Sequence, residues 1–293
     1  MVWETSGLRL VVCKTSSLSL DGDPVGARTE DINSFKREMA ARFRMSDLGT
    51  LSYYLGIEVR QGKEELTLGQ SAYASKLLER SGMVECKPCV TPMEERLKLT
   101  KDSITAKVDA TLYRSIVGRY LVHTRPDIAF AVGYVSHFME DPREDHWAAV
   151  KRLLRYVKGT VDLGIVFPKT CGSRLQLTVF SDVDMAGDID GRRSTSGVLV
   201  FLGSAPISWM SLKQKVVALS TCEAEYVAAA MSACQVMWLR RLLGELTGVK
   251  AHPPALMVDN QPAIALAKNS VLHDRSKHID VKFYFLRDCV DGG

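Results

Sequence analysis

"TVFSDVDMAGD", residues 178–188, runs an apolar stretch straight into a burst of acid. Leu175 to Phe180 read as a strand, which ends at Asp182, Asp184 and, after a glycine, Asp188. Carboxylates crowded at a strand end repel one another. Water, a cation, or a substrate that brings its own metal must offset that cost. The stretch therefore predicts a sheet with a candidate cation site at the C-terminal end of one strand.

Downstream, "STSGVLVFLG" and "PISWMSLKQ" read as two further strands. A helix over 220–247 follows, then a short strand "ALMVD", then a helix opening at "NQPAIALAKN". Three sequential strands, a helix, a strand and a helix predict a mixed α/β sheet, with a meander first and a crossover later. Upstream, the first 30 residues are poorly patterned. A helix is expected at 31–44, with Phe35, Met39 and Phe43 on one stripe. "LSYYLGIEVR" and "ELTLGQ" read as two strands around a "QGKE" turn. A compact helix at 71–83 has Ser71 as its N-cap and Gly82 at its end. A polar connection over 84–108 leads to a helical block at 110–158. In its last helix Lys151, Arg152, Arg155 and Lys158 oppose Val150, Leu154 and Val157, a basic face that suits either solvent or phosphate. A domain boundary is expected at Lys169–Ser173.

The chain's 293 residues suffice for about two domains. With 46% hydrophobic and 25% charged residues, it has a soluble globular composition, which excludes a disordered chain. A net charge of +4 is compatible with nucleic acid without arguing for it. Seven cysteines suggest a reducing compartment rather than a disulfide scaffold. Cys86 and Cys89 have zinc-knuckle spacing but no matching second pair. No apolar run approaches the roughly 20 residues of a membrane span, and the N-terminus lacks a signal-peptide layout. A soluble intracellular protein is expected.

Asp182 and Asp259 each end a strand. Where neighbouring strands run the same way, their C-terminal ends lie together and ligands sit there. "LSTCEAEYVAAA" offers Glu223 and Glu225 as a third acid. Ser220 and Glu223 fit a capping box, which gives Glu223 a local structural role. Glu225, roughly 200° further around the helix, has no such role and is chosen. Three carboxylates without an evident basic partner suit Mg²⁺, and two such ions can drive phosphodiester cleavage. Aspartates at strand ends are also common caps and turn formers.

"FSDVDMAGDIDGRRSTSGVLVFLGSAPISWMSLKQ", "LSTCEAEYVAAA", "VDNQPAIALAKN" and "HDRSKHIDVKFYFLRD", in that order, resemble the ribonuclease H domain of copia-type LTR-retrotransposon Pol polyproteins. The resemblance implies a ribonuclease H-like α/β fold, a five-stranded mixed sheet flanked by helices. It also implies Mg²⁺-dependent cleavage of the RNA strand of RNA–DNA hybrids, with Mn²⁺ as a substitute ion. Carried over by motif, the catalytic and metal-binding residues are Asp182, Glu225 and Asp259. "FKREMAARFRMSDLGTLSYYLGIEV", "LTLGQSAYASKLLERSGM", "YRSIVGRYLVHTRPDIAFAV" and "HWAAVKRLLRYVKGT" look like the part of the same polyprotein before ribonuclease H. The implied division is 1–110, a remnant of reverse transcriptase palm and thumb; 111–172, a helical connection; and 173–293, the ribonuclease H-like domain. A smaller, mainly helical thumb and connection region would thus precede the sheet domain and pack loosely on it.

Two departures qualify these expectations. The family's Tyr-x-Asp-Asp polymerase box has no counterpart in "LVVCKTSSLSLDGDPVG", so DNA synthesis is not expected. Family members also continue past "KHID" into a fifth strand and a helix with a fourth acid, whereas this sequence stops at "DCVDGG". His278 and Asp280 are nominal substitutes, although Arg275, Lys277 and His278 suit the start of a surface helix. Arg192 and Arg193 suit either a hairpin turn or phosphates. The expected partners are an RNA–DNA hybrid and the rest of the polyprotein, in a cytoplasmic virus-like particle or the nucleus. The alternative is a degenerate, non-catalytic remnant with weak nucleic-acid binding; a third reading, an integrase-like strand-transfer enzyme, lacks support because nothing in the sequence resembles an N-terminal zinc-binding His/Cys set.

Overall fold

The computed structural model of the chain describes residues 2–5, 8–11, 29–43, 46–47, 49–117, 119–168, 176–248, 252–268, 285–286 and 288–289. The expected boundary at 169–173 and residues Arg275, Lys277, His278 and Asp280 lie outside them. β1 (Val2–Thr5) pairs antiparallel with β2 (Leu8–Val11) and with β3 (Ser46–Asp47), which follows helix α1 (Thr29–Arg42). The stripe expected on α1 is not a buried one. Phe35 and Phe43 are both exposed, so the period marks a helix without marking a core.

β4 (Tyr53–Tyr54), β5 (Ile57–Gln61), β6 (Glu65–Gly69) and β7 (Gly164–Pro168) form an antiparallel sheet in that order. "LSYYLGIEVR" is therefore two strands rather than one. Leu55 and Gly56 both take positive φ, 49° and 83°, as a two-residue type I′ hairpin turn requires. β7 was not expected at all. It pairs with β6 so closely at Gly164 that a Cβ there would collide with the Leu68 carbonyl.

Ser71 is the first residue of α2 (Ser71–Arg80) and not its cap. The capping position belongs to Gln70, whose side chain makes no capping bond, while Glu58 Oε1 accepts the Ala72 N–H at 2.7 Å from the neighbouring strand. Gly82 does close the helix in the left-handed region, where the Met83 N–H reaches the Leu78 carbonyl at 2.9 Å. Helices α3 (Ala110–Ile116), α4 (Ala129–Ser136) and α5 (Glu144–Gly159) share one core with α2, built from Leu78, Tyr113, Ile128, Val135, Leu154 and Val157 among others. The upstream region thus combines helices with sheets; it is not mainly helical as expected.

The second half follows the sequence pattern closely. β8 (Leu177–Asp184), β9 (Thr195–Leu202) and β10 (Ala205–Lys213) form an antiparallel meander. α6 (Thr221–Thr247) crosses over to β11 (Ala255–Met257), which lies parallel to β8 and leads into α7 (Gln261–Lys268). The resulting order is β10-β9-β8-β11. Leu177, Val179, Val198 and Val200 bury one face of this sheet against Val236 of α6. On β10 the chain meets α4 instead. Gly133 brings the helix near enough that a Cβ would sit 3.5 Å from the Ser211 carbonyl, and Trp209 Nε1 donates to the Val122 carbonyl at 2.8 Å. These are close contacts, where loose packing was expected.

Candidate active site

Strand alternation sorts the residues of β8 onto two faces. Leu177 and Val179 face α6, whereas Phe180, Asp182 and Asp184 line a groove of about 790 Å³. It is also lined by Asp127, in the short 3-10 turn before α4, and by Phe130 at the start of α4. Asp182 does not end the strand, which continues to Asp184; its Oδ1 accepts the Val183 N–H at 2.8 Å. In the parallel register Met257 stands beside Phe180. Two residues further along each chain stand Asp259 and Asp182, so the two acids are level with one another. Asp259 is exposed and directly precedes Asn260, whose Oδ1 caps α7 by accepting the Ala263 N–H at 2.9 Å.

The two glutamates of α6 divide as expected. Ser220 Oγ accepts the Glu223 N–H at 3.2 Å, and Glu223 Oε2 accepts the Leu219 N–H at 2.9 Å, one residue before the cap, so Glu223 is engaged with the backbone at the helix start. Glu225 is only 7% exposed, and its Oε2 is buried without a hydrogen-bond partner. Burial, then the charge of Asp259, then that of Asp182 push its carboxyl up to about 7. Gln214 fixes this turn, since its Nε2 donates to the Ala224 carbonyl and to Ser196 Oγ, both at 2.9 Å. The orphaned polar atoms of the described residues number six, and three of them, Ser181 Oγ, Gln214 Oε1 and Glu225 Oε2, belong to β8, the end of β10 and the start of α6.

Glu225 thus feels both aspartates. Even so, among the described residues no three His, Cys, Asp or Glu side chains are gathered tightly enough to hold a metal ion. The chemistry of the donors still fits a hard divalent cation: all are carboxylate oxygens, one of them orphaned, on a carboxyl raised to about 7 by burial and by the two aspartates. Asp184, also raised by burial and by Asp182, adds a further carboxylate on the same strand face.

Other expectations resolve more simply. Asp188 organises the hairpin after β8 by accepting the Gly191 N–H at 3.0 Å and pairing with Lys213 at 2.6 Å; Arg192, at φ 52°, belongs to that turn. In the basic face of α5, Arg152 pairs with Glu94 at 3.0 Å and Arg155 Nε donates to the Lys87 carbonyl at 2.8 Å. Both therefore anchor the irregular 84–100 segment. Cys89 Sγ lies 3.4 Å from the carbonyls of Thr91 and Arg152. Sequence patterns gave no warning of Gln214, because its role depends on the end of β10 meeting the first turn of α6.

Residues 24–95 match the family described as reverse transcriptase (RNA-dependent DNA polymerase). The chain is 44% identical over 257 residues to the "Retrovirus-related Pol polyprotein from transposon RE2" of Arabidopsis thaliana, covering 87% of this chain and 18% of that protein. It is 42% identical over 271 residues to the "Retrovirus-related Pol polyprotein from transposon TNT 1-94" of Nicotiana tabacum, covering 89% of this chain and 20% of that protein. The chain therefore spans about a fifth of the length of these polyproteins. An "Uncharacterized mitochondrial protein AtMg00810" of Arabidopsis thaliana is 40% identical over 216 residues, 73% of this chain and 88% of that protein. No solved structure matches. On these likenesses the chain belongs to the copia-type retrotransposon Pol polyprotein family.

Proposed function

We propose that this chain carries the ribonuclease H of such a polyprotein, a Mg²⁺-dependent endonuclease that cuts the RNA strand of RNA–DNA hybrids. Asp182, Glu225 and Asp259 are its metal ligands, and Mn²⁺ can replace Mg²⁺. The observation that carries the proposal is Glu225, a buried carboxyl with an orphaned oxygen, raised to about 7 by burial and by the two other acids. Structural carboxylates are normally paired or hydrogen-bonded when buried, and departures from that rule concentrate at functional sites. The meander, crossover helix and parallel strand support it too, since they match the helix-flanked mixed sheet that the resemblance implies.

Bound there, the metal would supply Lewis acidity and an activated water for phosphodiester hydrolysis. The chain's own part is to present Asp182 on β8, Asp259 just beyond β11 and Glu225 on the first turns of α6, with Asp182 lining the open groove. DNA synthesis is no part of the proposal, because the sequence contains no adjacent pair of aspartates. The partners are an RNA–DNA hybrid and the other parts of the polyprotein, in a cytoplasmic particle or the nucleus. Among the described residues no helix is long and apolar enough to cross a membrane.

A hybrid-cleavage assay in Mg²⁺, Mn²⁺ and chelator tests the proposal. Asp182→Asn keeps the shape of the side chain and removes its charge, so cleavage should fall by at least about 10³-fold while the fold survives. A wild-type chain that cuts no hybrid in either metal would instead be the non-catalytic remnant.

A further inference from the structure

The hairpin that leaves β8 just after Asp182 and Asp184 is a tightly self-bonded unit. Ser194 Oγ accepts the Ala186 N–H at 3.1 Å, Asp188 N–H reaches the Arg193 carbonyl at 3.2 Å, and Arg192 N–H reaches the Asp188 carbonyl at 2.8 Å. Its base is tied to β10 through Gln214 N–H on the Ser194 carbonyl at 2.8 Å. These bonds tie the hairpin to itself and to the acid end of β8, from which it continues directly. One carboxylate of the hairpin turns outward. Asp190 accepts the Thr100 hydroxyl on Oδ1 and the Lys101 N–H on Oδ2 at 2.9 Å.

Thr100 belongs to a segment far upstream that is itself firmly held. Tyr134 OH accepts the Leu99 N–H at 3.0 Å and donates to the Leu97 carbonyl at 3.3 Å. His146, fully buried and stacked on Phe138, accepts the Arg143 N–H at Nδ1. Its proton therefore sits on Nε2, which donates to the Thr100 carbonyl at 3.0 Å. Asp145 Oδ1 accepts the Thr105 hydroxyl at 3.0 Å. The chain from the core of α4 and α5 through Thr100 to Asp190 is continuous, and each link is a direct hydrogen bond.

We infer that Asp190 is a positioning residue, which fastens the hairpin after β8 to the Leu97–Thr105 strap and so makes the upstream helical core a working part of the acid site. This rests on the proposed ribonuclease reading for its consequence in metal use, though not for the tie itself. Asp190 lies in the turn beyond the acids and takes no part in binding metal.

Three single variants of the 293-residue chain and one double variant test it. Asp190→Ala removes both bonds, Thr100→Val removes one of them from the far side, together with the local Asp102 N–H bond to Thr100 Oγ1, without touching the sheet, and Asp190→Glu keeps the charge. Amide hydrogen exchange without metal should quicken about tenfold across residues 186–194 in Asp190→Ala, and less in Thr100→Val, with no further change in the double variant. Half-saturating Mg²⁺ for hybrid cleavage should rise several-fold in Asp190→Ala while the rate at saturating metal stays within about twofold. Asp190→Glu should recover part of the metal affinity, a rescue that mere loss of stability would not show. Unchanged exchange in Asp190→Ala overturns the inference whether or not the chain cuts hybrids. Exchange that quickens in a wild-type-inactive chain upholds the tie and sinks the ribonuclease reading alone. Quickened exchange with an unaltered Mg²⁺ requirement overturns the link to the acid site.

Discussion

Arg125 and Glu225 are both charged side chains inside the protein, 2% and 7% exposed, and their surroundings are opposites. Arg125 donates to Asp127 from Nε and Nη2 and to Thr160 from Nη1 and Nη2, and it lies 5.7 Å from the Tyr156 ring centroid. Tyr156 OH completes the group by donating to Asp127 at 2.9 Å. Burial works against the Asp127 charge, but the bonds and charge of Arg125 prevail and hold its carboxyl below the usual range. Around Glu225 the neighbours are acids, and one oxygen has no partner. Burial alone does not distinguish scaffold from site. Whether the buried charge is answered does.

The contrast is broken most directly at Arg125. Arg125→Met keeps most of the side chain's bulk but strands Asp127 and the Thr160 carbonyl, and losing one partner of such a pair costs about 3–5 kcal/mol. Urea unfolding followed by fluorescence should register that loss. A cost below about 1 kcal/mol would mean the clamp is dispensable and the comparison with Glu225 empty.

At Glu225 the sign reverses. Its carboxyl is raised in the folded protein from 4.5 to about 7, so between these values the folded state binds more protons than the unfolded chain. Stability from this group is therefore greatest below the unfolded value and falls as pH rises towards 7. Glu225→Gln removes the titration, so the variant should be more stable than wild type at pH 8 by about 1–3 kcal/mol and nearly equal to it at pH 4.5. Millimolar Mg²⁺ should narrow the gap at pH 8 by stabilising wild type only. Equal unfolding profiles for both chains at all pH values would show that Glu225 carries no strain.

These two sites were not equally legible in the sequence. The acids of β8, α6 and β11 are conspicuous because each follows or opens an apolar run, although Asp182 lies within β8 rather than at its end, and the bonds of Glu223 at the helix start set it apart from Glu225. The meander was legible for the same local reason, with alternation along β8 and turns at fixed distances. Contacts made at long range left no such trace. β7 is a short run that becomes a strand only because β6 offers an edge, and the hairpin at Leu55–Gly56 depends on a positive φ at a leucine. The basic stripe of α5 carried a real pattern but no hint that Arg152 and Arg155 face a segment able to accept their bonds.

The junction between the two halves gives a smaller effect. Trp209→Phe keeps an aromatic ring at this position and removes the bond to the Val122 carbonyl, worth about 1 kcal/mol. Thermal unfolding should remain a single transition at a slightly lower midpoint. Two separate transitions would show that the halves are joined mainly through that bond.

Arg152 should show the smallest change, and it sharpens the comparison from the surface. It is partly exposed, bonded to Glu94 and to Thr91 Oγ1 at 2.8 Å, and such pairs are worth about 0–1 kcal/mol. Arg152→Ala should therefore cost about 0.5 kcal/mol in stability. Its effect on hybrid binding separates the two roles its sequence position allows. An arginine that contacts phosphate releases counterions, and removing it lowers the slope of log affinity against log salt by about one. An arginine whose guanidinium is already committed to Glu94 and Thr91 leaves that slope unchanged. The second outcome is expected, because binding phosphate would require breaking both bonds. A slope reduced by about one would return α5 to the list of nucleic-acid surfaces.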